Sequence, residues 1–170
     1  MPALVITVIL LPLLFPAVAL VTSREQTLRY GLPLLPLPAL AVAILSGPGW
    51  TLALPYLLNG GIWLLDGLRR GFLLLTASLW ITAGVYATGY MGARHLPRFC
   101  TFWALTLAGN LGLVMAGDIA SFYSFFALMT FAAYGLVVHY ASSGARRAGR
   151  IYLVMAVLGE MALLAGLILA

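Results

Sequence analysis

Apolar residues in this chain run in long unbroken stretches, and the polar and charged positions collect in short gaps between them. That differs from the three-to-four or two-residue alternation of helices and strands that bury one face in water. About 20 apolar residues carry a helix across the hydrocarbon layer of a bilayer. Six stretches are candidates: 3–22, 30–46, 71–92, 99–117, 119–141 and 149–170. The second is short and holds Pro33, Pro36 and Pro38, which predicts a kink whose freed carbonyls neighbouring helices must satisfy. The expected fold is an all-α membrane protein of six transmembrane helices. No internal repeat or soluble domain is visible, so residues 1–170 are expected to form a single membrane domain.

Residues 47–70 are apolar enough to compete as a seventh span. The breakers Gly47, Pro48, Gly49, Pro55, Gly60 and Gly61 argue against a helix there, and Asn59-Gly60 between two short apolar runs is a hairpin signal. The arginines decide the matter. Arg24 and Arg29 lie in the first gap, Arg94 and Arg98 in the third, and Arg146, Arg147 and Arg150 in the fifth, leaving only Arg69 and Arg70 elsewhere. Short cytoplasmic loops collect Lys and Arg. A seventh crossing would put Arg24 and Arg98 on opposite sides, so 47–70 is expected to be an external hairpin between the second and third helices. The odd gaps then face the cytoplasm, with the N-terminus outside. Tyr30, Tyr90, Tyr140 and Tyr152 lie beside the arginine-bearing gaps, where amphipathic rings favour the headgroup level.

Composition agrees with this solvent: 64% of residues are hydrophobic and 8% charged, with a mean hydropathy of +1.09. The net charge of +5 is spread over several loops with no basic face, so nucleic acid is not an expected partner. The lone cysteine, Cys100, reads as a packing residue. The first charge after the N-terminus is Arg24, which is the wrong order for a cleavable leader, so the first stretch is expected to remain as a span. An integral protein of a bacterial or archaeal cell membrane is the expectation.

Candidate chemistry rests on four acids. Glu25, beside Arg24, reads as a solvated loop charge. Asp66 and Asp118 precede apolar stretches and read as helix N-caps. Glu160 differs, because it lies near the midpoint of the last stretch, where an ionised acid costs about 2.5–3.5 kcal/mol on insertion scales. It must be neutralised, face the bundle interior or line a wet path, which makes it the leading candidate for moving protons or monovalent cations. The bland alternative is a carboxyl that hydrogen-bonds a neighbouring helix as packing glue. On the fifth helix, Ser124, Ala127, Thr130 and Tyr134 follow three- and four-residue spacings and form an expected polar stripe, with Thr130 at the depth of Glu160. A small-residue packing seam is the competing reading. His139 could relay protons at the cytoplasmic end or simply meet water and headgroups. Asn110 reads as an interhelical hydrogen-bond donor. No nucleophile is paired with a base and no metal-spaced set appears, so no catalytic site, metal or cofactor is expected in this chain.

Three stretches carry a resemblance: LDGLRRGFLLLTASLWITAGVYATGYM (65–91), NLGLVMAGDIASFYSFFALMTFAAYGLVVH (110–139) and RAGRIYLVMAVLGEMALLAGLILA (147–170). They resemble the N-terminal part of the antiporter-like subunits shared by respiratory complex I, Mrp-type cation/proton antiporters and membrane-bound hydrogenases. The resemblance implies a place among other membrane subunits of a proton- or cation-translocating complex, with any redox chemistry in the partners. It also implies a glutamate on the fifth helix after aromatic residues, and lysines on later, broken helices. Here the matching stretch is Phe125-Phe126-Ala127-Leu128, so Ala127 stands where the glutamate is expected, and the chain has no lysine. Glu160 is expected to supply the missing carboxyl from the sixth helix. The resemblance implies more than twice as many helices as the six here, so the chain is expected to be a fragment, a split subunit completed by another polypeptide, or a retained half used for scaffolding.

Overall fold

Long apolar stretches without water to bond their backbones must satisfy every amide internally, and helices do so. The computed structural model describes residues 2–21, 25–47, 49–54, 60–92 and 95–169. Within them α1 spans Pro2–Val21, α2 Glu25–Leu34, α3 Leu37–Leu45, α4 Gly67–Tyr90, α5 Leu96–Met115, α6 Ile119–Val137 and α7 Ser143–Leu169. Because α2 and α3 succeed one another through a break at Leu35-Pro36 and count as one span, six helical spans are long and apolar enough to cross a membrane.

The kink in the second span follows from its prolines. Pro33, Pro36 and Pro38 donate no backbone hydrogen bond, and the helix restarts at Leu37 with Pro36 as its N-cap. Gly84 of α4 lets the two spans meet there, since a Cβ on it would lie 2.9 Å from the backbone nitrogen and Cα of Pro33.

Several helices begin before their apolar stretches do. The second span starts at Glu25 rather than 30, α5 at Leu96 rather than 99, and α7 at Ser143 rather than 149. Apolar sequence marks where lipid touches a helix, whereas the hydrogen-bond ladder runs on into the headgroup layer. Glu25 is therefore not a loop charge: it lies in the first turn of α2 and pairs with Arg29 at 2.6 Å. Conversely α6 ends at Val137 rather than 141, in a turn whose Ala141 has φ of 55°.

Between α3 and α4 the chain forms an antiparallel pair, β1 (Trp50–Leu54) and β2 (Gly61–Leu65), registered Trp50 to Leu65 and Leu54 to Gly61. The ladder leaves six residues, 55–60, for the connection, so a two-residue turn does not close it. Asn59 lies outside the described residues, and Gly60 has φ of 94°. Gly61, Trp63 and Leu65 alternate inward and seat the hairpin on the α5–α6 junction. There Gly117 N–H donates to Ile62 O at 2.7 Å and Ile62 N–H donates to Asp118 Oδ2 at 2.7 Å.

The core is centred on α5, whose span is 56% buried against 6% for α7. Glycines set its closest approaches: Gly109 meets the Met129 backbone and Gly112 the Phe125 ring. Asn110 Nδ2 reaches across to Met129 Sδ at 3.1 Å. The first turns of α2 and α5 meet the last turns of α4 and α6. Arg29 donates to Thr88 O, Cys100 Sγ lies 3.8 Å from Leu28 O, and the His95 and Tyr140 rings are 5.2 Å apart. Arg29, Arg98 and the α7 arginines thus gather at one end of the bundle, opposite the hairpin; Arg24 and Arg94 lie outside the described residues.

Candidate functional site

Helix α7 packs on α6 through a single stripe. Gly149, Tyr152, Ala156, Glu160, Leu163, Leu164 and Leu167 are buried or half-buried, and their three- and four-residue spacing defines one face of the helix. Glu160 is the acid on that face, 5% exposed, and its Oε1 has no hydrogen-bond partner among the described residues. A buried polar atom without a partner is costly, and such an atom in a native fold calls for a ligand, a proton or water.

The register of α7 against α6 fixes what Glu160 faces. Gly149 lies against Tyr134 and Val138, the Tyr152 hydroxyl donates to Thr130 O at 3.0 Å, and Leu167 shares a recess with Ile119 and Phe122. Continued at an antiparallel register, these contacts bring Glu160 opposite the first half of α6, which holds Phe122, Phe126 and Ala127. Thr130 offers its carbonyl oxygen to Tyr152, and no hydrogen bond among the described residues joins it to Glu160. The Thr130 hydroxyl donates to Phe126 O of its own helix at 2.9 Å.

The expected polar stripe is divided between two faces. Tyr134 and Thr130 meet α7, whereas Ser124 lines an apolar groove of about 460 Å³ with Ile6, Leu10, Trp63 and Leu128. His139 lies in the turn after α6, where Nδ1 contacts Leu136 O and the ring packs against Phe99 at 5.5 Å and Tyr140 at 4.3 Å. It stands at the arginine end of the bundle and is not brought to Glu160.

Asp66 and Asp118 are at the hairpin end. Asp66 Oδ1 accepts from Arg69 N–H at 2.7 Å, and Asp118 Oδ1 accepts from Ser121 N–H at 2.8 Å, each capping a helix. The Arg69 N–H holds the Asp66 carboxyl below the usual range. For Asp118, burial pushes upward, but the N–H groups of Ile62 and Ser121 outweigh it and the carboxyl is also lowered. Arg69 and Arg70 are engaged as well: Arg69 with Asp66 and Ala116 O, and Arg70 with the last carbonyls of α3, Ala43 O and Ile44 O.

Two features were missed from sequence. Tyr152, expected at headgroup level, bonds inside the α6–α7 seam, and its spacing of eight residues from Glu160 was the available signal. Phe122 and Phe126 stack in parallel, 6.4 Å apart at 6°, on the side of α6 that meets α7.

No protein-family model matches the chain. It is 36% identical over 108 residues to the antiporter subunit mnhA2 of Staphylococcus saprophyticus, and 32% identical over 108 residues to the mnhA2 subunit of Staphylococcus aureus. In each case the alignment covers 62% of this chain and 14% of the relative, so the chain spans a small part of the length of these curated relatives. Over that stretch it is similar to these antiporter subunits, and with six helices long and apolar enough to cross a membrane among the described residues it is an integral membrane protein.

Proposed function

We propose that this chain takes part in proton or monovalent-cation translocation as an antiporter-like subunit, or the N-terminal portion of one, within a larger membrane complex. Glu160 is the group that carries the moving charge. The observation that supports this reading most is a carboxyl buried midway along the apolar stretch of α7, with an oxygen that has no hydrogen-bond partner among the described residues. In this proposal Glu160 of α7 supplies the acid that the resemblance expects on the fifth helix at Ala127. The relatives are named as antiporter subunits, and their cation handling and assembly with other membrane subunits are extended here to this chain. The arginine distribution supports a cell-membrane protein with its N-terminus outside.

Exchange measured in everted vesicles, from cells that make the chain together with its neighbouring subunits, tests the proposal. Glu160→Gln keeps size and polarity but cannot release a proton, and it reduces cation-dependent proton exchange to the level of vesicles without the chain. Glu160→Asp retains part of it. Unchanged exchange in Glu160→Gln overturns the assignment and favours a second reading, a non-conducting assembly subunit, which Ala127 and the lack of lysine support.

A further inference from the structure

Glu160 is enclosed by α6, so its ligand needs a route to water. One recess lies on the right line. At the hairpin end Arg69, Ala116, Gly117, Asp118, Phe122 and Leu167 line a hollow of about 270 Å³, room for several waters. Leu167 is seven residues beyond Glu160 on the same face of α7, about 10 Å along the axis. Phe122, which lines the recess, is one helical turn from Phe126, and the two rings lie parallel, 6.4 Å apart.

We infer that this recess is the aqueous mouth through which Glu160 exchanges its ligand with the hairpin side of the membrane, and that the Phe122–Phe126 pair is the hydrophobic gate between them. The rim is charged but self-compensated. Arg69 is bound to Asp66 at 2.5 Å and to Ala116 O at 3.3 Å, and the Asp118 oxygens are taken by Ile62, Ser121 N–H and the Ser121 hydroxyl. Such a rim holds water in place without storing an ion. Beyond it Leu163 and Leu164 of α7 and the Phe122–Phe126 pair of α6 offer no side-chain oxygen to replace a cation's hydration shell. A narrow apolar constriction conducts only when it wets. The ligand suited to such a step is a proton passed along a transient file of water.

The inference rests on Glu160 as the exchanging group, yet it is tested separately by thiol accessibility in the assembled complex. Cys100 is buried and is replaced by alanine, giving a cysteine-free chain. Into it go Leu167→Cys at the mouth, Leu163→Cys behind the gate, and Leu158→Cys on the exposed, lipid-facing side of α7. A membrane-impermeant thiol reagent labels Leu167→Cys from the hairpin side only and leaves Leu158→Cys untouched. Leu163→Cys is silent until Phe122→Ala is added, which opens the gate and exposes it from that same side. Variants are compared after co-purification with the complex is verified. If Leu167→Cys is no more reactive than Leu158→Cys, or reacts from the arginine side, the mouth is overturned. If Phe122→Ala leaves Leu163→Cys silent, the gate is overturned. Labelling as expected together with unchanged exchange in Glu160→Gln keeps the water-filled recess and rejects the role of the acid.

Discussion

Asp118 does two jobs with one carboxylate: it caps α6 through Ser121 and anchors β2 through Ile62 N–H. Replacing it with alanine removes a cap, worth about 1 kcal/mol, and orphans an amide of the hairpin. The expected result is a lower melting temperature in detergent and faster hydrogen exchange at the Ile62 and Gly117 amides. The carboxyls of Asp66 and Asp118 are both lowered in the folded chain, so their contribution is complete above the ordinary carboxylate value of 3.8 and is lost as pH falls through the lower folded values. Exchange at Ile62, corrected for its intrinsic rate, is therefore expected to rise on acidification below that range in the wild type. Asp118→Asn, which cannot be protonated there, should show less of this dependence. Both caps were legible in the sequence because an acid before an apolar stretch has few other uses. The second role of Asp118 was not, since its partner lies 56 residues away and pairs through a backbone amide that carries no residue-specific signal.

At the scale of elements, helix–helix packing here depends on where glycine is required and where it is not. A methyl group on Gly84 would stand 2.9 Å from the Pro33 backbone, which cannot retreat as a flexible side chain could, whereas one on Gly71 meets nothing within 4 Å. Gly84→Ala is expected to separate α4 from the kinked second span and to destabilise by about 1–3 kcal/mol, the range for overpacking. Gly71→Ala should be neutral or stabilising by up to about 1 kcal/mol, because alanine favours the helix. Thermal melts of the two variants in one detergent separate these outcomes. The existence of each span could be read from apolar length, and the kink from Pro33, Pro36 and Pro38. The ends could not: Glu25, Arg98 and Arg146 are charged, so they fall outside any apolar stretch, yet a helix with access to headgroups and water continues through them. The polar stripe failed for a related reason. Ser124 and Thr130 differ by six residues, which turns them about 120° apart on an α-helix, and only the partner helices decide which of them meets α7.

For the whole molecule, the positive charge sorts between two ends, and the exception explains itself. Arg69 and Arg70 are at the hairpin end, against the trend, but Arg69 pairs with Asp66 and bonds the carbonyl after α5, and Arg70 bonds the last carbonyls of α3, so they serve the fold there. Arg29 bonds Thr88 O and Glu25, yet it shares its end with Arg98, Arg146, Arg147 and Arg150, and such an end resists translocation. The expected orientation has the arginine end in the cytoplasm and the hairpin outside. Gly144 and Gly47 are exposed positions at the two ends where an added side chain meets nothing within 4 Å, which makes them suitable reporters. In the chain lacking Cys100, Gly144→Cys is expected to react with an impermeant thiol reagent only in everted vesicles, and Gly47→Cys only in right-side-out ones. The opposite pattern would turn the molecule over and make the recess beside Asp118 a cytoplasmic opening. Reaction of both positions from one side would break the antiparallel succession of spans, and with it the packing of α7 on α6 that buries Glu160. On the proposed route through the recess, the side on which the hairpin lies decides from which compartment Glu160 would be supplied, and that in turn sets the direction in which a membrane potential would act on its proton.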